Sequence, residues 1–271
     1  MNTLFVAMQD QGSRRWAPVG RLTRNNGLYR FVYTRGCRQV PDFEAFSRLT
    51  DLDAEYVSAD LFPLFANRIL PKVRPEYRRY MQWLGLNQDD NDALDELGRT
   101  GGVRATDALE LIPCPEPTED QRYEILFFAR GLRHLPPECQ ASIEQLQVGQ
   151  PLFLVQDVQN DRDTMALMMR TGEPVQLVGY VPRYYASDVL RLLDSTGAQP
   201  VRVYVDAVNR DAPMQYRLRC RLTAPWPVGF VACGAPEFQP LSVKGSVAPL
   251  RMGIEPSGRN TGATAKSKAE R

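Results

Sequence analysis

Residues 159–170 read QNDRDTMALMMR. Asn and Asp side chains bond to their own backbone, so Asn160–Asp163 reads as a polar turn. Met165, Leu167 and Met169 then alternate with smaller or more polar residues, the pattern of a strand with one buried face. A charged turn running straight into a buried strand describes the rim of a closed β-structure. The flanking residues extend that reading. Tyr123–Arg130, Leu152–Val155 and Val175–Val181 are predicted strands, as are the alternating sets Val201, Val203, Val205 and Tyr216, Leu218, Cys220. Glu138–Gln147 and Tyr184–Leu193 are predicted helices, the second with Val189, Leu192 and Leu193 inward. The order β-α-β-β-β-α-β-β predicts a compact barrel carrying two short helices.

Upstream, Leu4–Met8, Trp16–Leu22 and Leu28–Tyr33 read as strands, with Asn25-Asn26-Gly27 turning the chain between the last two. Helical spacing follows over Phe62–Pro71, after Pro75 as far as Gly85, and over Asp89–Leu97. Residues 88–121 hold ten acidic and two basic side chains, and Pro113-Cys-Pro-Glu-Pro117 excludes a central strand. The expected divisions are a β/α module at 1–97, a linker at 98–122, the barrel at 123–230 and a largely disordered tail at 231–271. The fold class is α+β.

Bulk properties narrow the function. The 271 residues carry a net charge of +1, so no global basic field points to nucleic acid. Five cysteines without a C-x-x-C spacing argue against a disulfide framework or a cysteine zinc cluster. His134 is the single histidine, which disfavours His-based metal sites and a Ser-His-Asp machine. Asp89, Asp90 and Asp92 lack the Gly and closing Glu of a calcium loop and read as a solvated face. No G-x-x-x-x-G-K-[ST] loop occurs. Neither a cofactor nor a catalytic centre is expected. With no secretory pattern at Met1–Trp16 and no apolar run of bilayer length, the expected location is the cytoplasm, away from membrane.

Three motifs in order carry a family resemblance: Gly131-Leu132-Arg133-His134, Asn160-Asp161-Arg162-Asp163-Thr164-Met165-Ala166-Leu167, and Val178-Gly179-Tyr180-Val181-Pro182-Arg183. Together, over about residues 123–225, they resemble a HIRAN domain. Such domains are modified OB-like barrels, found fused to remodelling ATPases and as near-standalone bacterial proteins, and in the best understood fused case the domain binds the 3′-hydroxyl end of single-stranded DNA. The resemblance implies that Asp163 accepts a hydrogen bond from the terminal hydroxyl and repels a 3′-phosphate. It implies phosphate and base contacts for Arg133, a phosphate contact for Arg183, stacking or donation by Tyr180, and loop ordering or a base contact by Asn160. Arg162 stands where the family usually has Tyr, Asp161 where it has Pro, and His134 where an aromatic ring is common; Arg and His can also stack. From the residues alone, Asp163 also reads as a strand cap or a partner of Arg133.

Val19-Gly20-Arg21-Leu22 with Leu61–Pro71 resembles the N-terminal subdomain of HipA-like toxin kinases, which implies a scaffold or partner-binding role for the first module. Arg14-Arg15 and Arg74, Arg78, Arg79 form basic patches that read as solvated. The expected function is non-catalytic binding of single-stranded 3′ ends or fork DNA, through Arg133, His134, Asn160, Arg162, Asp163, Tyr180 and Arg183. The alternatives are a protein-interaction module in DNA repair or defence, and an accessory subunit of an ATPase or hydrolase.

Overall fold

The computed structural model describes residues 3–12, 15–89, 92–161, 163–195, 200–242 and 247–249. The first module is an antiparallel meander of β1 (Thr3–Gln9), β2 (Trp16–Asn25), β3 (Leu28–Tyr33) and β4 (Glu55–Ser58). Asn26 and Gly27 form the two-residue turn between β2 and β3, both at positive φ, the conformation that matches strand twist in a hairpin. The short helices α1 (Pro63–Ala66), α2 (Tyr77–Leu84) and α3 (Ala93–Thr100) follow. Gly85 caps α2 in the left-handed conformation. Asp92 caps α3 by accepting the Leu94 N–H at 3.0 Å and pairs with Arg24 at 2.5 Å, so it is a partnered helix cap and not the solvated charge expected of it; Asp90 lies outside the described residues. The helix expected over 62–71 lasts one turn.

The stretch expected as a linker contains β5 (Leu109–Pro113), buried along its length and paired antiparallel to β1. It is an edge strand, where nearby prolines remove no ladder bond. Leu4, Val6, Leu22, Phe31, Phe62 and Phe65 fill this module's core.

The second module runs β6 (Arg122–Phe128), α4 (Pro137–Ile143), β7 (Pro151–Gln156), β8 (Leu167–Arg170), β9 (Leu177–Tyr180), α5 (Arg183–Ser195), β10 (Arg202–Val208) and β11 (Leu218–Pro225). Its strands form one curled antiparallel sheet in the order β6-β11-β10-β7-β8-β9. Period-two burial is plainest on β11, where Leu218, Cys220, Leu222 and Ala224 face in and Arg219 and Arg221 bond Asp206. The two edges meet where Arg130 and Tyr180 exchange N–H···O bonds, both 2.9 Å. The result is an OB-like half-barrel with a closed seam. On α5, Val189 and Leu192 are buried as expected, but Leu193 faces solvent. The inward stripe is completed by Tyr185 and Ala186, because a 3.6-residue period cannot bury 192 and 193 equally.

Gly179 makes the seam possible. Its φ is +109°, and a Cβ there would lie 2.8 Å from the Arg130 carbonyl oxygen. Gly179→Ala is expected to cost about 1–3 kcal/mol for the conformation alone. Urea unfolding checks this, and an unchanged midpoint would contradict the seam assignment.

The chain after the barrel is not a loose tail in residues 231–242. The Cys233 N–H donates to Asp188 at 3.1 Å, Phe238 packs edge-on against Phe5 at 4.8 Å, and Arg35 and Leu241 donate N–H bonds to Gln239 and Tyr33. These residues form a strap from the barrel back to the first sheet, and a final short strand, β12 (Val247–Pro249), pairs parallel to β4. The rest of the expected tail, 243–246 and 250–271, lies outside the described residues. The modules also meet directly: Phe128 packs with Tyr80 and Tyr216, Arg219 donates to the Trp83 carbonyl at 2.9 Å, and Arg79 pairs with Asp211. No helix among the described residues is long and apolar enough to cross a membrane.

The strap brings Cys233 against Cys114, which follows β5. The Cys233 S–H donates to the Cys114 sulfur, holding the Cys114 thiol below its ordinary pKa and pushing Cys233 up. Cys114 is also the least buried of the five thiols. At neutral pH it is expected to react with iodoacetamide first, and Cys220, buried and pushed up, among the last. Timed alkylation with peptide mass mapping checks the order; equal rates in the native protein would contradict it.

Candidate nucleic-acid interface

The β7–β8 connection is built by its own side chains. Asp157 accepts the Asn160 Nδ2–H at 3.0 Å, and the Asn160 side-chain oxygen accepts the Asp163 N–H at 3.0 Å. One Asp163 oxygen accepts the Met165 N–H at 3.1 Å. Backbone bonds from Asp157 to Ala166 and from Ala166 to Asp163 close the loop at its base. These Asx-type bonds explain why Asn and Asp crowd the turn. The anchor is Ala166 and Leu167; Met165, expected to be buried, is exposed because β8 starts only at Leu167.

Two further elements converge on this loop. Tyr180, at the end of β9, donates its hydroxyl to Asp157 at 3.0 Å. Burial and then the Asp157 carboxylate push the phenol's pKa up, so it stays a donor. Arg183 opens α5 after Pro182 and places its Nε 3.0 Å from the second Asp163 oxygen. Asp163 therefore pairs with Arg183, not with Arg133. Its side chain is 13% exposed and that of Arg183 36%, so the pair sits at a wall open to solvent.

Asn160, Asp163, Tyr180 and Arg183 all line one cleft of about 880 Å³. Arg133 and His134 do not. They lie exposed on the turn after Gly131, with Arg133 Nε donating to His134 Nε2 at 3.0 Å. That turn of 3₁₀ helix buries Leu132 and so points the next two side chains outward. Arg162 lies outside the described residues.

Sequence reasoning missed Asp157, which joins Asn160 to Tyr180, and Arg130. The Arg130 guanidinium lines the cleft and pairs with Glu110 of β5, beside the buried Tyr184 hydroxyl. Burial pushes Tyr184 up to about 12. Arg191 lines the cleft too, bound to Asp188 and seated over Phe230. Three arginines thus face Glu110, Asp163, Asp188 and Glu237, a cleft of mixed charge. No group of three His, Cys, Asp or Glu among the described residues could hold a metal ion. The arrangement offers a fixed carboxylate acceptor, an adjoining cation and aromatic walls.

Residues 123–226 match the HIRAN domain family. Two solved structures are similar to part of the chain. One is a protein from Lactobacillus plantarum, 18% identical with a TM-score of 0.29, the match covering 38% of this chain and 98% of that one. The other is the HIRAN domain of human HLTF, 14% identical with a TM-score of 0.29, covering 37% of this chain and 74% of that one. A search of curated proteins gives no match.

Proposed function

We propose, from the match of residues 123–226 to the HIRAN domain family, that this chain binds DNA and holds the free 3′-hydroxyl end of a single strand in the cleft beside Asp163. The observation that carries the reading is the Asp163–Arg183 pair at an open wall. Each Asp163 oxygen already accepts one bond and keeps a second lone pair. That lone pair suits a sugar hydroxyl, and the negative charge disfavours a phosphate in the same place. Arg183 beside it suits the phosphate that joins the last two nucleotides. The loop bonds hold both groups before the ligand arrives, which lowers the entropic cost of binding. No chemistry on the DNA is proposed: the domain binds, and its partner is a strand end or a fork that exposes one.

The mixed charge of the cleft sets a quantitative expectation. Arg130 is held by Glu110 and the Tyr184 hydroxyl, which leaves Arg183 and Arg191 as the cleft arginines for phosphate. Two phosphate contacts on a single strand give a slope of about −1.4 in log affinity against log salt. Affinity for a 3′-hydroxyl oligonucleotide should therefore fall only about sevenfold between roughly 50 and 200 mM salt. Fluorescence anisotropy across that range measures it. A slope steeper than about −4 would mean that the strand lies on other basic surfaces, not in this cleft.

A further inference from the structure

We infer that the first module completes the DNA cleft, and that the Trp16 indole is a stacking platform for a nucleobase near the bound 3′ end. This rests on the reading that the cleft takes a strand end. The cavity, about 880 Å³, lies near the top of the range for single-ligand pockets, about 300–1,000 Å³. A terminal sugar held by Asp163 would leave much of it empty. The remaining wall comes from outside the barrel: Trp16, Ala17 and Pro18 of β2, and the strap from Val231 to Phe238.

The aromatic side chains facing this space differ in how they are held. The Tyr180 hydroxyl is taken by Asp157. Tyr184 is half-buried, with its hydroxyl on Arg130 and its ring against Tyr185 at 4.6 Å. Phe238 presents its ring to Phe5. Trp16 is half-buried, packed against the Phe5, Ala7, Ile112 and Cys233 cluster with the rest of its surface lining the cleft, and among the described residues its indole N–H has no protein acceptor. The part of the indole that faces the cleft offers a base an apolar surface, with no side-chain hydrogen bond to break first.

The platform is held rigidly. Trp16 pairs with Gln9 at the end of the β1–β2 ladder, Ala17 beside it is buried, and the Pro18 carbonyl accepts the Thr34 hydroxyl at 2.5 Å. A base that stacks there needs no hydrogen-bond readout, because every base has a π-face. The consequence is end binding with little sequence preference, and a domain that binds weakly when cut from its first module.

The test uses the full chain. Oligonucleotides with a free 3′-hydroxyl carry 5-iodouracil at the first, second or third position from that end, and irradiated adducts are mapped by peptide mass. Trp16 is expected to crosslink from one of these positions. In anisotropy, Trp16→Leu is expected to weaken 3′-hydroxyl binding about tenfold, with Trp16→Phe recovering most of it. Adducts confined to barrel peptides, or Trp16→Leu binding as wild type does, would overturn the inference while leaving end recognition standing. Wild-type protein that binds no 3′-hydroxyl end would overturn both. Should Trp16→Leu misfold, the wild-type crosslink map decides alone.

Discussion

Asp163→Ala is expected to reverse the preference for the DNA end. Removing the carboxylate deletes the acceptor for a 3′-hydroxyl, a hydrogen bond to a charged group that is worth about 1.5–3 kcal/mol. Affinity for a 3′-hydroxyl strand should fall about 10- to 150-fold. The same change releases Arg183 from its 3.0 Å partner and removes the charge that repels phosphate. A 3′-phosphate strand should then bind better than it does to the wild type. Asp163→Asn separates the two effects. Its amide oxygen still accepts the Met165 N–H and a hydroxyl hydrogen, but it carries no charge. It should keep most 3′-hydroxyl affinity while admitting the 3′-phosphate. Anisotropy with both oligonucleotides measures the pair. If the alanine variant lost affinity equally for both, Asp163 would be ordering its loop, not reading the end.

The second large effect falls on the joint between modules. Arg130 and Glu110 sit 20 positions apart, on the barrel and on β5, and the Glu110 side chain is 11% exposed. Arg130→Met would leave that carboxylate enclosed without its cation, at a cost of about 3–5 kcal/mol. Burial already pushes the Glu110 carboxyl up, and Arg130 pulls it back down. A carboxyl raised in the folded state favours folding below its unfolded pKa and loses that contribution as pH rises through the folded value. Without Arg130 the folded pKa rises further. The deficit of the variant should therefore be greatest at neutral pH and shrink on acidification. Adding Glu110→Gln should recover much of the loss, since no charge is then stranded. Urea unfolding at several pH values measures all three proteins. A loss that ignores pH, or that Glu110→Gln deepens, would contradict the assignment.

What the sequence made legible was local. Asn26-Gly27 announces its hairpin because two positive-φ residues are the turn. Asn160 and Asp163 announce theirs because those side chains bond their own backbone. The barrel strands and α5 were readable from periodicity, with Leu193 misplaced by one position. What stayed hidden depends on distant partners. β5 looks like linker until it pairs with β1, over a hundred positions upstream. The strap looks like tail because it is held by Phe5, Tyr33, Arg35 and Asp188, none of them its neighbours in sequence. Within the site, the motif residues Asn160, Asp163, Tyr180 and Arg183 came together. Arg133 and His134 turned away because Leu132 takes the buried place in a three-residue helix. Arg130 and Trp16 carried no motif, and their roles come from facing the same cleft.

The most direct test of end recognition is a competition on the wild type. A labelled 3′-hydroxyl strand is displaced by unlabelled 3′-hydroxyl, 3′-phosphate or closed circular single-stranded DNA of equal length. The account predicts that only the 3′-hydroxyl strand competes efficiently, with the phosphate and the circle weaker by about tenfold or more, as befits loss of one charge-assisted bond. Equal competition by the circle would show that the protein binds the strand along its length, and that the cleft beside Asp163 does not hold an end.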